Sequence, residues 1–308
     1  MRRGALAAIA AATVLALQLA IGPAAWADWR DDIKVLRVGF IASSAPAGDI
    51  ARLEPFRAYL EARAGLPVEL IPSTTMGGLI EAESGGGVQY AIMSAAGYAT
   101  AEVMCKCVEP LAEPAAFDGS RGFHAVLLVR ADSPIQSIAD SHGARLALGA
   151  ADSVAGRMVP MKAFAAAGID PATHFSALFE APGPVDAVAA LLDGRADVAT
   201  AWSSLAGDPA TGYSFGVLTD MVAEGALAMD QVRVVWQSEL IPFGPHVVRS
   251  DLPAELKTIL RDALTAMAAE APDVLDAVDN SSFGGGGFVG VTAADYAPIA
   301  ALVAPPGG

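Results

Sequence analysis

The stretch Leu148-Gly-Ala-Ala-Asp-Ser-Val-Ala-Gly-Arg-Met-Val-Pro160 reads as the end of a strand, a turn of small residues and the start of a helix. Leu146 to Leu148 supply the apolar strand end, and Asp152 or Ser153 is a natural N-cap. Ala155 and Gly156 let another group approach the backbone. A helix N-terminus presents unpaired N–H groups and a partial positive charge, so this turn is a candidate seat for an oxygen-rich ligand. Taken alone, the window equally describes an ordinary capped helix of an α/β domain, and the surrounding chain has to decide.

Working outward, short apolar runs alternate with segments of helical period. On the N-terminal side, Val35–Ile41, Val68–Ile71 and Tyr90–Met93 read as strands. The segments between and after them read as helices over Ile50–Ala64, through Glu83, and from Tyr98 onward. His124–Val129 is a further strand. A second series follows, with strands at Arg145–Gly149, Ala177–Glu180 and Ala196–Trp202. Its helices lie near Gly156–Ala167, Val185–Leu192 and Leu218–Ala226. Val232–Trp236 and His246–Val248 add strands, and helices over Pro253–Ala268 and Ala293–Val303 close the chain. Ser281–Gly287 reads as a flexible linker.

This alternation predicts an α/β fold of two lobes, each a mostly parallel sheet flanked by helices, joined by two hinge strands. The expected divisions are a leader at residues 1–27, a discontinuous first lobe at 28–129 plus 237–308, and a second lobe at 130–236. Ligands of open parallel sheets sit beyond the carboxyl ends of the strands, and domain interfaces favour pockets. The expected ligand-binding residues are therefore Ser44, Thr74, Thr75, Ser94, Tyr98, Phe123, His124, Asp152, Ser153, Trp202 and Glu239.

Arg2-Arg3, the apolar run Ala5–Ile21 and Ala25-Trp-Ala27 form a secretory signal peptide pattern, with cleavage expected before Asp28. The formal charge of −15 argues against nucleic acid or anionic lipid as partners. Cys105 and Cys107 are the only cysteines, too few for a disulfide framework. Two residues apart on a regular helix they would point to opposite sides, unless the chain bends after Met104. They read either as small buried hydrophobes or as thiolates for a thiophilic, arsenic-like ligand. His124, His142, His174 and His246 are scattered, and no nucleophile elbow, phosphate loop or zinc spacing appears. Neither an enzyme nor a cofactor is expected.

The chain resembles the PhnD-like periplasmic phosphonate/phosphite solute-binding proteins of the type-2 periplasmic binding fold. The resemblance is carried by VLRVGFI at Val35–Ile41, ARAGLPVEL at Ala62–Leu70 and GGLIEA at Gly77–Ala82. It continues through HAVLLVRADSPIQSIAD at His124–Asp140, VPMKAFAAAGIDP at Val159–Pro171 and LLDGRADVATAW at Leu191–Trp202. It ends with PHVVRSDLPAELK at Pro245–Lys257 and GFVGVTAADYAPI at Gly287–Ile299. The resemblance implies a monomeric receptor in the periplasm that closes on a small solute.

Where the family's phosphonate binders carry a Ser-Thr-Ser-Gly run, this chain has Ser153, Val154, Ala155 and Gly156, preceded by Asp152. Where they carry Gly-Pro-Ala-Ser-Tyr, it has Ser94, Ala95, Ala96, Gly97 and Tyr98. Fewer donors and an added carboxylate suit a ligand that itself donates hydrogen bonds. Together with the cysteine pair, this resembles the arsenite-binding AioX-like branch. The expectation is a receptor for a small oxyacid, foremost arsenite, that signals to a membrane sensor kinase. The alternative is the phosphonate/phosphite-binding component of an ABC transporter.

Overall fold

The computed structural model describes residues 29–151, 153–279 and 284–304. The expected leader and Asp152 lie outside the described residues. Trp29–Asp31 forms one 3-10 turn, with the Arg30 guanidinium 4.1 Å from the centre of the Trp29 ring.

From Leu36 the chain runs β1 (Leu36–Ile41), α1 (Pro46–Ala64), β2 (Val68–Ser73), α2 (Met76–Ser84), β3 (Tyr90–Ile92), α3 (Ala95–Cys105) and β4 (Val108–Ala116). It continues through β5 (Gly122–Arg130), β6 (Arg145–Leu148), a π turn at Val154–Met158, α4 (Val159–Ala166), α5 (Pro171–His174), β7 (Ala177–Glu180), α6 (Pro184–Leu192) and β8 (Val198–Ser203). There follow α7 (Val217–Ala223), β9 (Val232–Gln237), β10 (Ile241–Pro242), β11 (His246–Arg249), α8 (Ala254–Glu270), α9 (Pro272–Val278), β12 (Gly285–Gly290) and α10 (Ala297–Val303).

Two sheets result, each the floor of one lobe. The first has the order β12-β4-β11-β3-β1-β2, and the second β10-β5-β8-β6-β7 with β9 also on β5. The helices are placed by their apolar stripes. α1 buries Leu53, Phe56, Leu60 and Ala64 and stops at Gly65, which takes the left-handed conformation at φ 69°. β5 shows why its sheet is covered on both faces. Val126 and Leu128 enter a cluster with Val188, Leu191 and Leu218, while Leu127 and Val129 enter another with Phe164 and Phe175.

Four features differ from the sequence reading. Parallel pairing is confined to β1, β2 and β3 and to β6, β7 and β8, while the other pairings are antiparallel, so both sheets are mixed. Gly122–Arg130, expected in the first lobe, is an inner strand of the second sheet, and β10, also expected in the first lobe, pairs with it at the sheet edge. The chain therefore crosses at 117–121 and returns at 243–245, rather than at 129 and 237. The helix expected from Tyr98 onward ends at Cys105, and an unforeseen strand, β4, follows it. Of the stretch expected as a linker, Gly285–Gly287 enter β12, which pairs with β4, and 281–283 lie outside the described residues.

The two crossings are tied together. The Phe243 N–H donates to the Arg121 carbonyl at 3.2 Å. Arg121 also donates to the buried Glu113 at 2.9 Å, and the Tyr296 hydroxyl lies 2.9 Å from both Glu113 and the Phe243 carbonyl. Burial holds the Glu113 carboxyl above the ordinary carboxylate range, against the pull of Tyr296 and Arg121.

Candidate functional site

The carboxyl ends of β1 and β3 open into a cavity of about 430 Å³. Phe40 and Ile41 from β1, Ile92 and Met93 from β3, Leu53 from α1, Met76 from α2 and Val278 from α9 form its apolar walls. Its polar groups are Arg52 and Ser94. Ser94 is where the sequence reading expects a ligand contact, and its hydroxyl caps α3 by accepting from the Gly97 N–H at 3.0 Å. Arg52 was not foreseen. One guanidinium nitrogen donates to the Ala277 carbonyl at 2.5 Å, and another lies 4.0 Å from the Asp49 carboxylate. Asp49 is already occupied by the Ser43 hydroxyl and amide, both at 2.7 Å, and these bonds hold it below the ordinary carboxylate range. A cation, a capped helix start and a strand end thus meet at one opening, an arrangement that attracts an anionic head group.

The other expected residues of this lobe distribute around that opening. Ser44 and Thr74 are exposed in the turns after β1 and β2. Thr75 caps α2 by accepting from the Gly78 N–H at 3.1 Å. Tyr98 does not face the cavity. It is 1% exposed, edge-on to Tyr296 at 5.0 Å, and its hydroxyl has no hydrogen-bond partner among the described residues. Burial raises its pKa, with Glu102 and Glu109 adding to the effect. Gly244 explains how the return crossing supports the cavity floor. A Cβ there would lie 2.1 Å from the Met93 carbonyl, so only glycine lets this segment pass beneath Met93 and Ser94.

In the second lobe the turn that follows β6 is closed on itself. The Gly149 N–H donates to the Gly156 carbonyl at 2.9 Å, and the buried Thr200 hydroxyl donates to the same carbonyl at 2.8 Å. Ser153 caps the π turn by accepting from the Gly156 N–H at 3.0 Å. Glycine at both 149 and 156 lets the two backbones approach closely, since a Cβ on either would lie 3.0 Å from the other's Cα. Val154 and Ala155, where the resemblance leads one to expect hydroxyls, pack with Ala99 of α3 and Ile299 of α10. Their apolar character serves contact between the lobes. Arg157, also unforeseen, reaches Glu180 at 2.9 Å beside this turn.

Phe123 and Trp202 meet with their rings tilted at 60° and their centres 5.2 Å apart, and Phe123 also meets Phe243 at 6.0 Å. They form an aromatic joint at the crossings. The His124 Nδ1 lies 2.8 Å from the Ser238 carbonyl and so donates to it. Glu239 lines a different cavity of about 340 Å³, between α4, the segment 236–241 and α10.

Cys105 and Cys107 are bonded to each other, with Cα atoms 5.0 Å apart. Lys106 between them takes a left-handed φ of 51°, the bend that lets the two side chains meet. As a disulfide they have no thiolate to offer an arsenic ligand. Among the described residues no group of three His, Cys, Asp or Glu side chains is placed to hold a metal ion.

The family model described as the periplasmic substrate-binding protein of phosphonate ABC transporters matches residues 38–296. Several solved structures share the fold. XAC2383 from Xanthomonas citri, solved with a chloride ion, is 21% identical over 88% of this chain and 98% of its own, with a TM-score of 0.67. PA3383 from Pseudomonas aeruginosa, a binding protein component of an ABC phosphonate transporter, is 24% identical over 87% and 85%, with a TM-score of 0.57. PhnD1 from Prochlorococcus marinus, in complex with methylphosphonate, is 16% identical over 87% and 97%, with a TM-score of 0.58.

Proposed function

The chain belongs to the periplasmic substrate-binding proteins of phosphonate ABC transporters, and on that premise we propose that it captures a phosphonate or phosphite anion between its lobes and delivers it to a membrane permease. It is a binding component of the periplasm and not an enzyme. Among the described residues no helix is long and apolar enough to cross a membrane. Residues 1–27, read as a cleaved leader, supply the route of export in this proposal.

The observation that carries the reading is Arg52 beside the Ser94 cap at the mouth of β1 and β3. A guanidinium forms charge-assisted hydrogen bonds to phosphonate oxygens, and the start of α3 adds its dipole. The bodies that close are the two sheets with their helices, and the pivots are the crossings at 117–121 and 243–245. Contacts made only in the closed form drive closure. The net charge of −15 opposes long-range capture of anions, so recognition rests on these local donors.

Arsenite and a sensor kinase are the competing outcome, and the disulfide removes the thiols on which that expectation leaned. Calorimetry separates the two. Methylphosphonate or phosphite should give saturable heat, and Arg52→Gln should weaken binding at least tenfold. Saturable heat from arsenite, with none from either phosphorus anion, would overturn the proposal.

A further inference from the structure

Resting on that reading, we infer that the ligand is an organophosphonate with an apolar substituent of several carbons, rather than a bare oxyanion or an aminoalkyl phosphonate. The cavity is much larger than a head group requires, at about 430 Å³. Beyond Arg52 and Ser94 its surface is apolar, with Phe40, Ile41, Leu53, Met76, Ile92 and Val278 among the lining side chains. Several of these form one continuous cluster, in which Phe40 and Leu53 are buried and Ile92 and Val278 are partly open. Ile41 stands 40% exposed on the same wall, a large apolar side chain left facing solvent at the end of a strand.

A bare oxyanion would bond to Arg52 and leave this wall wet. An alkyl or aryl group would dry it, and each buried methylene is worth about 0.8 kcal/mol, or about fourfold in affinity. An ammonium on the substituent would instead be desolvated against hydrocarbon. The carboxylate close by, Asp49, is engaged by Ser43 and lies next to Arg52. The chemistry of the wall therefore selects on the substituent, while Arg52 selects on the head group.

Titration of the purified protein with methylphosphonate, butylphosphonate and 2-aminoethylphosphonate tests this. Butylphosphonate should bind at least tenfold tighter than methylphosphonate, and the aminoethyl compound more weakly than either. Ile41→Ser should shrink the butyl-over-methyl ratio. Equal or tighter binding of methylphosphonate would overturn the inference while leaving the phosphonate reading intact. Tightest binding of the aminoethyl compound would do the same, and would point to Asp49 as a receptor for the ammonium. Saturable heat from phosphite alone would overturn the inference and keep the receptor reading, and saturable heat from neither phosphite nor any of the three would remove both.

Discussion

Glu83 carries an unsolved cost in the first lobe. It is fully buried in α2, and neither carboxylate oxygen has a hydrogen-bond partner among the described residues. Arg249 lies near, but its guanidinium donates to the Glu83 and Ser84 carbonyls and pairs with Asp251. Burial outweighs Arg249 and pushes the Glu83 pKa up to about 8. The folded state thus holds a proton that the unfolded chain releases above the ordinary glutamate value. Its stabilising effect is complete at acid pH and is lost as pH rises towards 8. Glu83→Gln should therefore match the parent near pH 5 and exceed it at pH 8. The gap in urea-unfolding free energy should widen by roughly 3 kcal/mol between those pH values. A gap that stays constant with pH would mean that Glu83 is ionised in the fold.

At the scale of elements, α3 joins the site to the disulfide. Ser94 caps one end at the cavity, and the helix of 11 residues puts Cys105 roughly 16 Å away. A cross-link with one residue between its cysteines restricts little of the unfolded chain, so replacing both by serine should cost only about 1.5 kcal/mol on the chain-entropy account. Phosphonate affinity in the Cys105→Ser/Cys107→Ser variant should stay within about twofold of the parent by calorimetry. Loss of binding in that variant would tie the disulfide to recognition. The elements also show what was legible beforehand. β1, β5 and β6 announce themselves as apolar runs bounded by turns, and the cap at Ser153 follows from residue type, whereas Thr75 and Ser94, expected to bind ligand, turn out to cap α2 and α3. β4 was hidden because Pro110, Pro114 and two glutamates interrupt it, and proline is rare in a strand paired on both sides. Here the antiparallel neighbours tolerate it, with irregular register beside each proline's strand partner. Arg52 was hidden for another reason. It lies within α1 and becomes a cavity residue only when α9, 225 positions away at Ala277, packs against that helix.

For the whole molecule, two buried titrating groups act in opposite senses. His246, in β11, is enclosed by Phe56, Tyr90 and Phe288, and its Nδ1 lies 2.5 Å from the Tyr90 hydroxyl. Burial lowers its pKa to about 3, so the unfolded state takes up the proton first and stability falls as pH drops below the usual histidine value. Glu83 removes stability as pH rises from the usual glutamate value towards 8. Between about pH 4.5 and 6.5 the two slopes, each about 1.4 kcal/mol per unit, cancel. Relative to the parent, Glu83→Gln should gain stability steadily as pH rises through that interval, because the His246 slope then stands uncancelled. Thermal scans of the two proteins at half-unit steps check this, and a difference that does not change with pH would contradict it.

The second sheet is drawn from one unbroken stretch, whereas β4 of the first is flanked by β11 and β12, both from the far end of the chain. If the polypeptide emerges from a translocon with its N-terminus leading, the later-coded lobe is complete while the earlier one still waits for two strands. Until they arrive, β4 presents bare edges to any neighbouring nascent chain. The receptor becomes competent only with its final residues, and holdase chaperones would find their client in the half that was made first.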